Sequence, residues 1–501
     1  MKTVASPLGR RLKATVREVA WPADAEAVFA CLAARPGCVW LDSAGGPAPL
    51  ARWSVLAAEP SAVLVHADGA TRLTESGGRL LDSGGGSPFE KLRQTLAAMA
   101  FDDEPPMPLP FGPGLYGYLS YDLAPWIEPK ATLSPRRDIA LPDLWLGVYE
   151  SVLVLDHQEQ RAYLAGGDGP AFEAIREAKN CGLRIANCGL EETTARLLNP
   201  QSEIRNPQFV APPLSCNMTR EEFLRAVERA REYIAAGDIY QVNLSRRYAA
   251  DLAPRPSRGA PAEGTWAELY RRLRRANPAP YAACLGLGAG QAILSSSPEL
   301  FLALEGGRIV TRPIKGTRPH RPGDEAFNAR MRAELLKSEK DRAELVMIVD
   351  LERNDLGRVA SYGSVRVTEP RAIETYAAVH HTVATVEGRL HDGRDLVDLL
   401  KATFPGGSIT GAPKVRAMQI IAELEPTRRS AYTGAIGYLA PPSPANPAGR
   451  SLLNVAIRTL LVSGGQVHLQ VGGGIVADSQ PEAEFEETED KARALLAALA
   501  G

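Results

Sequence analysis

Ser295 to Thr317 reads SSSPELFLALEGGRIVTRPIKGT. Two apolar, β-rich runs flank Glu305-Gly306-Gly307-Arg308, and a Gly-Gly pair between such runs predicts a β-hairpin. The hairpin carries Glu299, near the start of one strand, toward Lys315, near the end of the other. A carboxylic acid and an amine that close can divide acid and nucleophile roles. Two registers are open. A two-residue turn places Ile314 opposite Glu299 and Lys315 on the other face. A three-residue loop with a bulge places Lys315 opposite Glu299. Pro298 and Pro313 interrupt both strands and favour irregular pairing. The plainer account of the same residues is a surface lysine and a surface glutamate at the ends of an ordinary hairpin.

Around this stretch, composition narrows the field. The 501 residues are 45% hydrophobic, ordinary for a globular chain with a large core. A net charge of −2 favours neither nucleic acid nor a membrane surface. Cys31, Cys38, Cys181, Cys188, Cys216 and Cys284 form no CxxC pair, which reads as reduced thiols of a cytoplasmic protein. The start has basic residues but no apolar signal core, and no apolar run is long enough to cross a bilayer.

Three regions follow from the pattern. Residues 1–165 read as short strands and turns with a few helices: a helix over Asp24 to Ala33 with Asp24 as N-cap, and strands at Cys38–Leu41, Ala62–His66 and Leu144–Leu155. The glycine- and aromatic-rich Phe111 to Asp122 reads as a buried strand with turn residues. Residues 166–214 have no strong period beyond a helix at Pro170 to Ala178. They concentrate Pro, Asn and Ser as a linker or insertion does, with Asn199 to Pro207 the candidate disordered loop. Residues 215–501 carry the chemistry. Thr219-Arg-Glu-Glu222 is a capping box opening a helix to about Ala236, and Asn328 to Asp350 reads as one long helix.

Four constellations stand out there. Glu344 on that helix, with Glu484 and Glu487 on a last helix that starts at Pro481, could supply oxygen ligands to a hard divalent cation. The plainer account is ion pairs such as Lys340 with Glu344, and acids favoured by a helix dipole. Phe404 to Lys414, with Gly406, Gly407 and Ser408, is a Gly-rich turn running into a helix, which suits an anion or is simply a helix start. Leu452 to Val476 reads as a hairpin turning at Gly464-Gly465. Its simplest register sets Arg458 opposite Val471, beside the bare ledge Gly472-Gly473-Gly474, which suits capture of a carboxylate. His381, in Tyr376 to His381, suits proton transfer or orientation of a leaving hydroxyl, although a lone histidine is more often structural.

Taken together and in order, SSSPELF, PIKGTRP, KDRAELVMIVDLERNDLGR, YAAVHHTV, FPGGSITGAPKVRAM, YTGAIGY, LNVAIRTL, VGGGIVADS and AEFEETEDKA resemble the chorismate-utilising enzymes over nearly the whole C-terminal half. The resemblance implies an α+β fold, two large antiparallel β-sheets packed face to face and flanked by helices. It implies that Glu344, Glu484 and Glu487 hold Mg2+ against the ring carboxylate of chorismate. Arg458, Tyr438 and the Gly472, Gly473 and Gly474 backbone would clamp the enolpyruvyl carboxylate, with Ser408, Gly316, Thr317 and Lys491 as further contacts. Glu299 would protonate the departing 4-hydroxyl and His381 would lie near it. Lys315 resembles the lysine that attacks C2 in the branch of the family that forms 4-amino-4-deoxychorismate. The anthranilate and isochorismate or salicylate branches usually carry Ala there. Leu41-Asp42-Ser43 falls where related enzymes line a tryptophan pocket, too short a match to predict regulation. No glutaminase-type nucleophile turn is visible, so ammonia is expected from a separate glutamine amidotransferase subunit. A chorismate-binding pseudoenzyme would be expected to lack an acidic ligand, and all three are present.

Overall fold

A computed structural model of the chain describes residues 12, 15–22, 25–43, 50–99, 109–177, 214–252, 264–444 and 446–500. Asp24, the end of the helix expected to reach Ala178 and the loop expected over 199–207 lie outside the described residues.

Two large antiparallel sheets make up the frame. The first runs in spatial order through Val16–Val19, Arg161–Gly166, Ser151–Asp156, Trp53–Ala57, Val39–Asp42, Tyr281–Gly288, Gln291–Ser297, Thr459–Ser463, Gln466–Ile475, Gln241–Asp251 and Ser215–Cys216. The second runs through Ile314–Pro319, Val379–Arg389, Arg308–Arg312, Leu300–Glu305, Arg450–Val455, Ala435–Ala440, Gly114–Leu119, Leu144–Tyr149, Ala62–Ala67, Ala70–Glu75 and Leu80–Gly85. Early and late parts of the chain join at one seam in each sheet. Val39–Asp42 pairs with Tyr281–Gly288, and Gly114–Leu119 pairs with Ala435–Ala440. The Leu144 to Leu155 run splits at Glu150, sending Leu144–Tyr149 to the second sheet and Ser151–Asp156 to the first.

The sheets pack face to face over a layer that includes Val39, Val55, Ile293 and Leu461 from the first and Tyr116, Tyr118, Ile436 and Tyr438 from the second. Helices cover the outer faces. Ala25–Ala33, Gly264–Ala276 and Pro481–Ala500 lie on the first sheet, and Pro88–Ala98, Glu339–Gly357 and Leu396–Thr403 on the second. A fully buried Leu or Phe contributes about 1.5–3 kcal/mol against a net ~1 kcal/mol for a hydrogen bond, so these apolar layers outweigh the ladders in holding the sheets.

The capping box forms as expected: the Thr219 hydroxyl accepts from the Glu222 N–H, and the Glu222 carboxylate from the Thr219 N–H. The single helix expected over Asn328 to Asp350 is two. Glu325–Lys337 ends at Ser338, whose extended backbone (ψ 108°) breaks the run, and its hydroxyl caps Glu339–Gly357 by accepting from the Asp341 N–H. Good helix formers on both sides hid a serine whose side chain competes for backbone donors. Among the described residues, no helix is long and apolar enough to cross a membrane.

The hairpin at Glu305 to Arg308 also departs from expectation. The two-residue turn forms, with Gly306 and Gly307 at φ +55° and +76°. A bulge between Leu300 and Ala303 then shifts the pairing so that Leu300 faces Arg312. Past Pro313 the strand leaves its partner, and Ile314–Pro319 pairs with Val379–Arg389. Neither register read from the sequence holds at Glu299. Leu452 to Val476 is likewise not one hairpin, because Arg450–Val455 belongs to the second sheet and Thr459–Ser463 to the first.

Candidate active site

Two crossings between the sheets build the centre of the site. The chain passes from Gln291–Ser297 to Leu300–Glu305 through Pro298-Glu299, and from Arg450–Val455 to Thr459–Ser463 through Ala456-Ile457-Arg458. The crossings lie side by side. Ser296 N–H donates to the Arg458 carbonyl at 3.0 Å, and Val455 N–H to the Glu299 carbonyl at 3.1 Å. Ser297 Oγ donates to the Val455 carbonyl at 2.6 Å and accepts from the Glu299 N–H at 3.2 Å. Ser296 Oγ donates to the Arg458 carbonyl at 3.2 Å. The triple serine thus satisfies backbone groups that leave one sheet before joining the other. Arg458 itself sits at φ +52°, a conformation a non-glycine residue holds only where its surroundings enforce it.

Glu299 is buried, and burial pushes its carboxyl up to about 7, against the Ser408 side chain, the Lys315 ammonium and the Ile314 N–H, which all pull down. Burial thus keeps the proton on this acid far above the ordinary carboxylate range, which suits a proton donor. Lys315 points into the same space. Its Nζ donates to the Ser408 carbonyl at 3.4 Å, and its own carbonyl accepts from the Thr382 hydroxyl. Burial lowers the Lys315 ammonium below the ordinary lysine range, although Glu344 and Glu299 oppose it. A nucleophilic amine needs that shift toward the neutral form. Burial also lowers the Arg458 guanidinium, and a desolvated cation of this kind gains by meeting an anion.

His381 faces Thr317 across the Ile314–Pro319 and Val379–Arg389 strands, its Nδ1 2.9 Å from the threonine hydroxyl. Burial first, and Arg458 next, lower its imidazole to about 3, so the ring is neutral at physiological pH. Gly316, at φ +84°, leaves no spare room: a Cβ there would meet Asp341 and Leu335 at 3.0 Å.

The acidic side of the site joins Glu339–Gly357 to the last helix. Lys340 Nζ lies 3.9 Å from Glu344 Oε1 and 3.8 Å from Glu484 Oε1, a cation held between two carboxylates. Burial raises the carboxyls of Glu344 and Glu484. Ser479 Oγ donates to Glu484 at 2.6 Å. Glu487, open to solvent, pairs with Lys491 at 2.6 Å, and Lys491 also donates to the Gly472 carbonyl at 2.8 Å. Among the described residues no three His, Cys, Asp or Glu groups are drawn together tightly enough to hold a metal ion as they stand. The donor set is nevertheless all oxygen, the chemistry a hard divalent cation takes, and Lys340 supplies a positive charge between Glu344 and Glu484. Gly473 lies under Glu484 and Glu487, at 3.2 and 3.7 Å from a Cβ position, and Gly474 under Gln241 Nε2 and Lys315 Nζ, at 2.5 and 3.5 Å. A side chain on either glycine would fill the site.

Tyr438 is the sequence-predicted residue that the fold keeps apart. Along Ala435–Ala440 the alternation turns Ile436, Tyr438 and Ala440 into the layer between the sheets. The Tyr438 ring packs 4.7 Å from Tyr116 and 5.7 Å from Phe111, with its hydroxyl toward the Pro113 carbonyl at 3.4 Å. The tyrosine whose field reaches Arg458 is Tyr432, in the turn before that strand. Alternation does not separate the two, because six residues put them in the same phase; what differs is that Tyr438 lies within Ala435–Ala440 and Tyr432 in the turn before it. Gln241 was also missed. It is wholly buried beside Gly474 and Lys315, and neither its Nε2 nor its Oε1 has a hydrogen-bond partner. A buried amide left unpaired is costly unless something else completes it.

Comparison with known proteins shows the family and the fold. The family described as chorismate binding enzyme matches residues 37–497. The chain is 40% identical over 488 residues to aminodeoxychorismate synthase component 1 of Salmonella typhimurium, covering 97% of this chain and 98% of that protein. It is 41% identical over 426 residues to anthranilate synthase component 1 of Streptomyces coelicolor, covering 84% of this chain and 78% of that protein. Among solved structures, anthranilate synthase component I from Streptococcus pneumoniae TIGR4 superposes with a TM-score of 0.69 at 30% identity, covering 89% of this chain and 92% of that one.

Proposed function

We propose that this chain, which belongs to the chorismate binding enzyme family, converts chorismate and ammonia to 4-amino-4-deoxychorismate as component I of an aminodeoxychorismate synthase. The observation that carries the reading is the Lys315 amine, lowered by burial and held by Ser408 beside a Glu299 that titrates near neutrality.

In this reading Arg458, Tyr432 and the Gly472–Gly474 backbone orient the enolpyruvyl carboxylate, while Ser408, Gly316, Thr317 and Lys491 line the ring. Glu344, Glu484 and Glu487 would hold Mg2+, which when bound neutralises the ring carboxylate and draws electron density from the ring. The neutral Lys315 amine bonds to C2 and gives up a proton. Glu299 protonates the 4-hydroxyl, which departs as water, with neutral His381 orienting it. Ammonia then bonds to C4 as the C2–N bond to Lys315 breaks. The sum is chorismate plus ammonia giving 4-amino-4-deoxychorismate and water. A glutamine amidotransferase subunit would supply the ammonia, in the cytoplasm, for 4-aminobenzoate and folate synthesis. The similarity to an anthranilate synthase component keeps a second reading, direct addition of ammonia at C2.

Product analysis separates them. The purified chain is incubated with chorismate, Mg2+ and ammonium, and the products are chromatographed with and without aminodeoxychorismate lyase. A product that the lyase converts to 4-aminobenzoate supports the first reading; anthranilate supports the second.

A further inference from the structure

Glu352 lies on Glu339–Gly357 two turns beyond Glu344 and is 3% exposed. Its Oε1 accepts the Gly407 N–H at 3.1 Å. The packing there is tight: a Cβ on Gly407 would meet Leu351 at 2.6 Å and Glu352 Oε1 at 3.1 Å. Gly407 begins the short 3-10 turn Gly407–Ile409, so the held N–H fixes the turn at its first residue. The next residue, Ser408, offers its carbonyl to Lys315 Nζ at 3.4 Å and to Asn243 Nδ2 at 3.1 Å, and its side chain to Glu299. Asp355, one turn on from Glu352, is taken by Lys414, which also donates to the Thr403 carbonyl at 2.8 Å. Lys414 thus bonds Asp355, while the Glu352 carboxyl bonds the turn.

We propose that Glu352 is a positioning residue that, by holding Gly407, sets Ser408 between Lys315 and Glu299. No substrate atom is asked to touch it. In DLERNDLGR it looks like one more helix acid. Burial, and then the neighbouring Asp355, push the Glu352 carboxyl well up. A protonated acid still accepts through its carbonyl oxygen, and so does a glutamine amide. That makes Glu352→Gln the conservative variant and Glu352→Ala the disruptive one.

The inference rests on the reading of Lys315 as nucleophile, and one set of measurements separates the two. Wild type, Glu352→Gln and Glu352→Ala are compared for melting, for chorismate binding by calorimetry and for ammonium-dependent product formation. Glu352→Met, which fills the space, replaces the alanine variant if that does not melt cooperatively. Displacing Ser408 should lower kcat in the apolar variant about 10- to 100-fold. Chorismate Kd should stay within about twofold, and Glu352→Gln should return kcat to within about threefold of wild type. The proposal is overturned by an apolar variant with wild-type kcat, by a glutamine variant as impaired as the apolar one, or by Kd lost in proportion to kcat. A wild type that makes only anthranilate overturns the Lys315 reading and this inference with it.

Discussion

Ser296, near the end of the strand that leads into one crossing between the sheets, donates its N–H to the carbonyl of Arg458, on the other crossing, at 3.0 Å. With the bond from Val455 to Glu299, it ties the acid and the guanidinium of the site together through backbone rather than side chains. Their side chains should therefore be replaceable without loss of fold, which makes the following substitutions interpretable.

Lys315→Ala removes the amine but not the carbonyl that accepts from Thr382. Formation of 4-amino-4-deoxychorismate should fall below detection, while chorismate Kd changes by no more than about threefold, measured by calorimetry. Retention of that product, or loss of binding, would rule out the nucleophile role.

Glu299→Gln keeps shape and loses the proton. A drop in kcat of about 10²- to 10⁴-fold is expected. In wild type the acid must be protonated, and burial raises it to about 7. Above that pH, kcat/KM should fall about tenfold per unit, whereas the remaining activity of the glutamine variant should show no such limb. A wild-type profile flat from pH 6 to 9 counts against Glu299 as the acid.

Lys340, between Glu344 and Glu484, should compete with a divalent cation. Lys340→Ala should tighten Mg2+ binding in the presence of chorismate by a few-fold at low ionic strength, and the gain should fade with salt. Glu484→Gln should weaken Mg2+ binding by about 10-fold or more. Calorimetric titration reads both, and unchanged Mg2+ affinity in Glu484→Gln would remove that residue from the metal set.

Arg429 and Glu425 form a wholly buried pair at 2.6 Å, and the guanidinium also donates to the Ile409 and Asn243 carbonyls at 3.0 and 2.8 Å. Arg429→Leu leaves the carboxylate buried and unpaired and should cost about 3–5 kcal/mol in urea unfolding. A loss under about 1 kcal/mol would mean that water or a neighbour replaces it.

Much of this was legible in the chain. Thr219 and Glu222 announced their helix, Pro481 the last one, and the Gly472–Gly474 ledge its bare backbone, because each is a local signal. What escaped depended on contacts far apart in sequence. Tyr438 lies in a strand and packs between the sheets, whereas Tyr432 sits in the turn before it, toward Arg458. Gln241 becomes notable only when the residues around it leave its amide unpaired. Glu299 and Lys315 meet through a crossing and an exchange of partner strands, not through the hairpin that first linked them.

The two seams have a consequence for biosynthesis. Val39–Asp42 and Gly114–Leu119 leave the ribosome with one edge unpaired, and their partners are Tyr281–Gly288 and Ala435–Ala440. The second wait spans about 300 residues, roughly 15–60 s of translation at common rates. Exposed strand edges template aggregation over such an interval. The nascent chain is therefore one whose yield should depend on chaperone supply and on the speed of elongation more than on the stability of the finished protein.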